Sequence, residues 1–179
     1  MSERVLVAYG STYGSTAEIA QAIGTTLRVA GLEVDVKRAR EVRSLEPYRA
    51  VVVGSAVYMA RWRRDAMRLL RRGRKELAQR EVWVFSSGPV AEEKGEPDEQ
   101  QERWTKPKRV ERLAREIKAH EHVVFGRRVS GDVGGFLSKN MAKNTPPKIR
   151  DRRDWTAIEA WATRIADSLQ DQLMAEGSR

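Results

Sequence analysis

At 179 residues, 40% of them hydrophobic, the chain suits one domain over residues 1–179 with a full core, and is short for two. Its 34 Lys and Arg against 25 Asp and Glu give a net charge of +9, a balance that suits an anionic membrane, an acidic protein, a polycarboxylate or nucleic acid, or else serves only solubility. No cysteine and two histidines, His120 and His122, exclude disulfides, a cysteine nucleophile and a thiolate or histidine metal centre, while the lack of a bilayer-length apolar run or signal-peptide pattern makes the cytoplasm the expected location.

The apolar run Val5-Leu6-Val7-Ala8 predicts a first strand over residues 4–9. It empties into Tyr9-Gly10-Ser11-Thr12-Tyr13-Gly14-Ser15-Thr16, after which Ile19, Ala20, Ile23 and Leu27 share one face of a helix that Gly31 stops. Such a junction is a place to hold a phosphate. N–H groups at a helix start are unpaired, the helix dipole favours an anion, and Ser11, Thr12, Ser15 and Thr16 add rotatable donors. The loop has no Lys or Arg, so it is expected to grip by hydrogen bonds rather than ion pairs. It matches neither G-x-x-x-x-G-K-[ST] nor G-x-G-x-x-G.

Residues 32–37 alternate as an edge strand does, and Ala50-Val51-Val52-Val53-Gly54 reads as a buried central strand. A helix follows over residues 61–79, with Trp62, Ala66, Leu69, Leu70 and Leu77 on one stripe and arginines elsewhere. Val82-Trp83-Val84-Phe85 and His122-Val123-Val124-Phe125 are the fourth and fifth strands, separated by a helix over 108–119. The last helix, residues 155–174, has Asp154 as N-cap and buries Ile158, Trp161, Ile165 and Leu169. Residues 92–101 and 126–153 read as irregular, and there is no internal repeat. Alternating strands and helices imply an α/β fold, a doubly wound five-stranded parallel sheet of order 2-1-3-4-5. A ligand crevice is then expected at the carboxyl ends of the first and third strands.

Two further loops meet that crevice. The third strand ends in Ser55-Ala56-Val57-Tyr58, where Tyr58 is either a flat partner for a ring or a surface aromatic. The fourth ends in Ser86-Ser87-Gly88-Pro89-Val90, whose small residues let backbone groups approach a polar ring edge.

The segment Ser11-Thr12-Tyr13-Gly14-Ser15-Thr16 resembles the S/T-x-T-G-x-T phosphate loop of flavodoxins, with Tyr13 where that family usually has Thr. The resemblance implies a flavodoxin-like fold and flavin mononucleotide (FMN) as cofactor, held by residues 11–16, 55–58 and 86–90. More narrowly, Gly54-Ser55-Ala56-Val57-Tyr58, the basic helix, Ser86 to Val90 and the Asp154-Trp155 opening of the last helix are similar to menaquinone-dependent protoporphyrinogen oxidases. That likeness implies an FMN-dependent oxidoreductase of haem biosynthesis, taking a tetrapyrrole-like substrate and passing electrons to a quinone. The alternative is a flavodoxin-type carrier with no turnover of its own and an acidic redox protein as partner. Arg61, Arg63 and Arg64 follow the Tyr58 loop and are candidate contacts to substrate carboxylates, or else solvated surface.

The family's apolar segment before the final helix corresponds here to residues 134–143, where Phe136, Leu137, Asn140 and Met141 share a face flanked by Lys139 and Lys143. This is either a small membrane-surface helix, with peripheral contact at the inner face of the cell membrane, or a surface loop. Nucleic acid is not expected, because aromatic platforms are lacking. No catalytic acid or base stands in the ring loops, and self-association stays open.

Overall fold

The computed structural model describes residues 4–88, 104–126, 151 and 153–177. β1 (Arg4–Gly10) leads into α1 (Ser15–Val29), then β2 (Val34–Arg38) and a 3-10 turn (Ala39–Glu41). β3 (Tyr48–Tyr58) folds back on the short β4 (Arg61–Trp62) before α2 (Arg64–Arg72) and α3 (Arg74–Leu77). β5 (Glu81–Gly88), α4 (Lys108–Glu116), β6 (His122–Gly126) and α5 (Trp155–Gly177) follow. The sheet order is β2-β1-β3-β5-β6, with β4 antiparallel to the end of β3 and outside that path. With β4 set aside, this is the expected parallel order and a flavodoxin-like α/β fold.

The continuous β-branched run Val51–Val53 follows from burial on both faces. On one face α1 and α5 pack Ile19, Ile23, Leu27, Ile158, Trp161 and Ile165 against the sheet. On the other, α2, α3 and α4 contribute Leu69, Leu70, Leu77, Val110 and Leu113. β2 lies at the edge, as its alternation predicts. The Gly31 N–H donates to the Arg28 carbonyl at 2.9 Å and the Leu32 N–H to the Leu27 carbonyl at 3.2 Å, the bond pair that closes α1. Asp154 Oδ1 accepts the Ala157 N–H at 2.9 Å, the expected cap of α5.

Several boundaries differ from expectation. β3 and β5 run on through Tyr58 and Gly88, so residues 55–58 and 86–88, expected as loops, are the last residues of strands. The helix expected over residues 61–79 begins only at Arg64 and is divided at Gly73, because Arg61 and Trp62 form β4. Trp62 does have helical spacing to Ala66 and Leu69, but pairing with Val57 buries its ring and gives its N–H a partner. The helix expected to reach residue 119 ends at Glu116. There Lys118 takes the left-handed conformation (φ 56°), and the bonds Lys118 N–H to Arg115 carbonyl and Ala119 N–H to Ala114 carbonyl close it without a glycine. α5 runs on to Gly177. Residues 92–101 and 134–143 lie outside the described residues. Among the described residues, no helix is long and apolar enough to cross a membrane.

Candidate functional site

The strand register sets the three expected segments side by side, the second and third as strand ends rather than free loops: Gly10 pairs with Ser55, Ser55 with Ser86, and Ala56 with Ser87, all at the carboxyl ends of β1, β3 and β5. Pro89 and Val90 lie outside the described residues.

In the first loop, Ser11 Oγ accepts the Gly14 N–H at 3.1 Å. Gly14 stands at the N-cap of α1 with φ 86° and no side-chain cap bond, so the mouth of the helix is not closed by a capping side chain. A Cβ at Gly14 would meet nothing within 4 Å among the described residues, so the requirement there is conformational rather than steric. Thr12 and Tyr13 are exposed, whereas Ser15 and Thr16 are buried. Glu18, in the first turn, would repel an anion, but Arg153 pairs with it and also with Asp151, its guanidinium lying over the Trp155 ring at 4.5 Å. Sequence reading missed Arg153. It arrives from far along the chain, and its only local signal is adjacency to the Asp154 cap.

In the second loop, Ser55 Oγ donates to the Ala56 carbonyl at 2.9 Å and accepts the Arg63 N–H at 2.9 Å. Arg63 is thereby fixed close to the first loop: a Cβ on Gly10 would lie 3.0 Å from the Cβ of Arg63. Val57 is buried and Tyr58 exposed. Arg61 lies on β4 and Arg64 opens α2; all three arginine side chains are exposed around the base of the hairpin. The hairpin tip, Met59 and Ala60, has positive φ at both central residues (49° and 54°), the signature of a type I′ turn. That turn favours Asn-Gly, so two ordinary side chains there store on the order of 1 kcal/mol of strain each.

What holds this tip is a chain of hydrogen bonds that no motif announced. The Trp62 Nε1–H donates to Ser86 Oγ at 2.9 Å, and Ser86 Oγ lies 2.9 Å from His122 Nε2. His122 Nδ1 meets the Glu111 carboxylate, and Trp62 stands edge-on to the imidazole. A neutral imidazole satisfies every partner: Nδ1–H donates to Glu111, Nε2 accepts the Ser86 O–H, and Ser86 accepts from Trp62. Serine, histidine and carboxylate in series is also the order of a hydrolytic relay. Ser86 is fully buried and its oxygen already takes the indole N–H, so the series positions the hairpin.

Burial holds the His122 imidazole below its ordinary value; the Glu111 hydrogen bond and charge oppose this, and Lys106 adds slightly to the lowering. A depressed folded-state value means that its contribution to stability is complete above the ordinary 6.5 and is lost as pH falls through the folded value. The expected result is that acidification from neutral pH lowers the melting temperature of the native protein more than that of His122→Gln. Equal slopes in a pH series of thermal melts would contradict this.

In the third loop, Ser86 serves the relay just described. Ser87 Oγ is buried and has no hydrogen-bond partner among the described residues. A buried hydroxyl without a partner costs about 1–3 kcal/mol, which points to a ligand group at this position. The described residues contain no metal-binding cluster of His, Cys, Asp or Glu.

A family model described as a flavodoxin domain matches residues 6–145. No curated protein matches the sequence. Among solved structures, the chain is similar to rubredoxin oxygen:oxidoreductase from Desulfovibrio gigas, with TM-score 0.63 and 14% identity over 96% of this chain. It spans 37% of that protein's length. It is also similar to a cysteine-to-serine mutant of flavodoxin from Pseudomonas aeruginosa (TM-score 0.61, 19% identity, covering 93% of this chain and 99% of that one). Oxidised flavodoxin 2 from Bacillus cereus aligns with TM-score 0.57 and 18% identity, over 94% of this chain and 99% of that one.

Proposed function

Because the chain belongs to the flavodoxin domain family, whose cofactor is FMN, we propose that it works as an electron carrier between redox partners. The observation that carries this reading is the meeting of three segments at one sheet end, one of them presenting the buried hydroxyl of Ser87, which has no hydrogen-bond partner among the described residues. The residues present fit FMN. The open mouth of α1, without a capping side chain and with Glu18 neutralised by Arg153, accepts a phosphate. Ser11, Thr12, Ser15 and Thr16 would hold it with main-chain amides of residues 12–16. Residues 55–58 and 86–88 would hold the ring, with Tyr58 beside it and Ser87 as a hydrogen-bonding group. When bound, FMN supplies the reversible gain and loss of electrons, and the chain supplies position and electrostatics.

Positive surroundings favour whichever state of a bound group carries more negative charge. A net charge of +9 should therefore raise the reduction potential above that of an acidic carrier, an effect that salt screens. The expected result of a redox titration is a potential for full reduction that falls as salt is added. A potential that does not move with salt would remove the electrostatic argument.

A second reading keeps a substrate. Arg61, Arg63 and Arg64 surround the base of the Tyr58 hairpin, and guanidinium groups pair with carboxylates such as the propionates of protoporphyrinogen. On that reading the protein is a quinone-coupled oxidase, working in the cytoplasm or against the inner face of the cell membrane. Anaerobic mixing of the holoprotein with protoporphyrinogen and a menaquinone analogue separates the two. The carrier reading predicts no substrate-dependent bleaching of the flavin band; bleaching followed by reoxidation on adding the quinone would establish the oxidase.

A further inference from the structure

Beside the hairpin, α2 and α4 leave between them an open groove of about 1370 Å³ that no part of the carrier reading uses. Nine of its lining residues are Arg or Lys. Arg64, Arg68 and Arg71 stand at helical spacing along α2, facing Lys108, Arg109 and Arg112 of α4. Its floor is apolar, formed by Met67, Pro107, Val110 and Leu113. The acids near this surface are few. Glu116 pairs with Arg74 and Arg112, and Glu111 is engaged by His122. Among the described residues, no carboxylate pairs with Arg64, Arg68, Arg71, Lys108 or Arg109.

We propose that this groove docks an acidic amphipathic helix of a redox partner protein, its apolar stripe on the floor and its carboxylates between the two rows of guanidinium groups. The inference rests on the carrier reading and names the partner's chemistry. Shape and charge select this occupant. A helix about 10 Å across rises 5.4 Å per turn, so the groove volume takes about three turns, a common helix-in-groove length. A nucleic-acid duplex would bring phosphates to the walls but leave the apolar floor uncovered. A bilayer surface is flat and does not enter a concave groove. Ala60, Arg61 and Trp62 line one end, so a helix seated there lies against the hairpin that carries Tyr58, the residue placed beside the flavin ring in the carrier reading.

The test uses the FMN-loaded full chain and a fluorescein-labelled synthetic helix of about five turns, with Leu at i, i+3, i+4 and i+7 and Glu elsewhere. Controls are the same composition scrambled, a short DNA duplex and phosphatidylglycerol vesicles. Arg68→Glu with Arg109→Glu should weaken peptide binding about tenfold or more. Arg43→Glu with Arg164→Glu, an equal change of charge at residues that do not line the groove, should change it by about twofold at most. Equal losses in the two double variants, equal binding of the scrambled peptide, or tighter binding of the duplex or the vesicles at the same salt would each overturn the proposal. So would a large gain in peptide affinity on neutralising Glu92, Glu93, Glu96, Asp98, Glu99 and Glu102, because the chain's own acidic stretch would then be the occupant. Flavin content and potential are read on the same samples. Loss of electron transfer with peptide binding intact strikes the carrier reading, whereas loss of the peptide effect with electron transfer intact strikes the groove.

Discussion

Trp62→Ala is expected to lower unfolding free energy by about 3–5 kcal/mol and to weaken flavin binding as well. The ring is buried, its N–H is the donor to Ser86, and β4 has no other buried side chain. Removing it leaves a cavity over His122 and frees a hairpin whose Met59-Ala60 tip is already strained. Trp62→Phe separates the contributions. It keeps most of the apolar contact but removes one donor from Ser86, and should cost about 1–2 kcal/mol. Urea unfolding of the apoprotein and FMN titration of both variants check this. A cost for Trp62→Ala below about 1 kcal/mol, or full flavin affinity in that variant, would show that the hairpin does not depend on this anchor.

A second large effect is expected at Gly54→Ala. Gly54 lies in the middle of the sheet between Tyr9 and Phe85, and the Phe85 ring folds over it. A Cβ there would come within 2.0 Å of two Phe85 ring atoms. Phe85 is fully buried and packs against Phe125 and Trp161, so it can move only by displacing α5. Overpacking of this kind costs about 3 kcal/mol, the upper end for an inserted methyl group. Combining Gly54→Ala with Phe85→Leu should recover part of that loss, a positive coupling typical of residues in contact. Strict additivity of the two changes in denaturant unfolding would count against the close approach.

The parts of this molecule that sequence made legible are those encoded locally. The Val51–Val53 run shows burial on both faces, the Asp154 and Gly31 ends are set by neighbouring backbone groups, and the turn after β1 leads into α1 at Ser15 as the glycines and hydroxyls there suggest. What escaped depends on distant partners. Trp62 fits a helical stripe by spacing, and β4 carries no turn signal because Met59-Ala60 occupies a turn that usually announces itself as Asn-Gly. Trp62, Ser86, His122 and Glu111 come from four elements, and nothing in any one of them predicts their bonds. Arg153 likewise acquires its meaning only when α5 docks beside α1. The first loop itself carries no Lys or Arg, but a guanidinium from far along the chain does stand beside α1, paired with Glu18 and Asp151.

The proposed site would seat the FMN phosphate at the start of α1, where no side chain caps the helix. Calorimetric titration of the apoprotein with FMN and with riboflavin, which lacks the phosphate, tests it in both the native chain and Ser11→Ala/Thr16→Ala. Native protein is expected to bind FMN far more tightly than riboflavin, and the double variant to lose about tenfold to a hundredfold of its FMN affinity while riboflavin affinity stays constant. If FMN affinity is unchanged in the variant, or the two ligands weaken together, the phosphate lies elsewhere and the site has been misplaced.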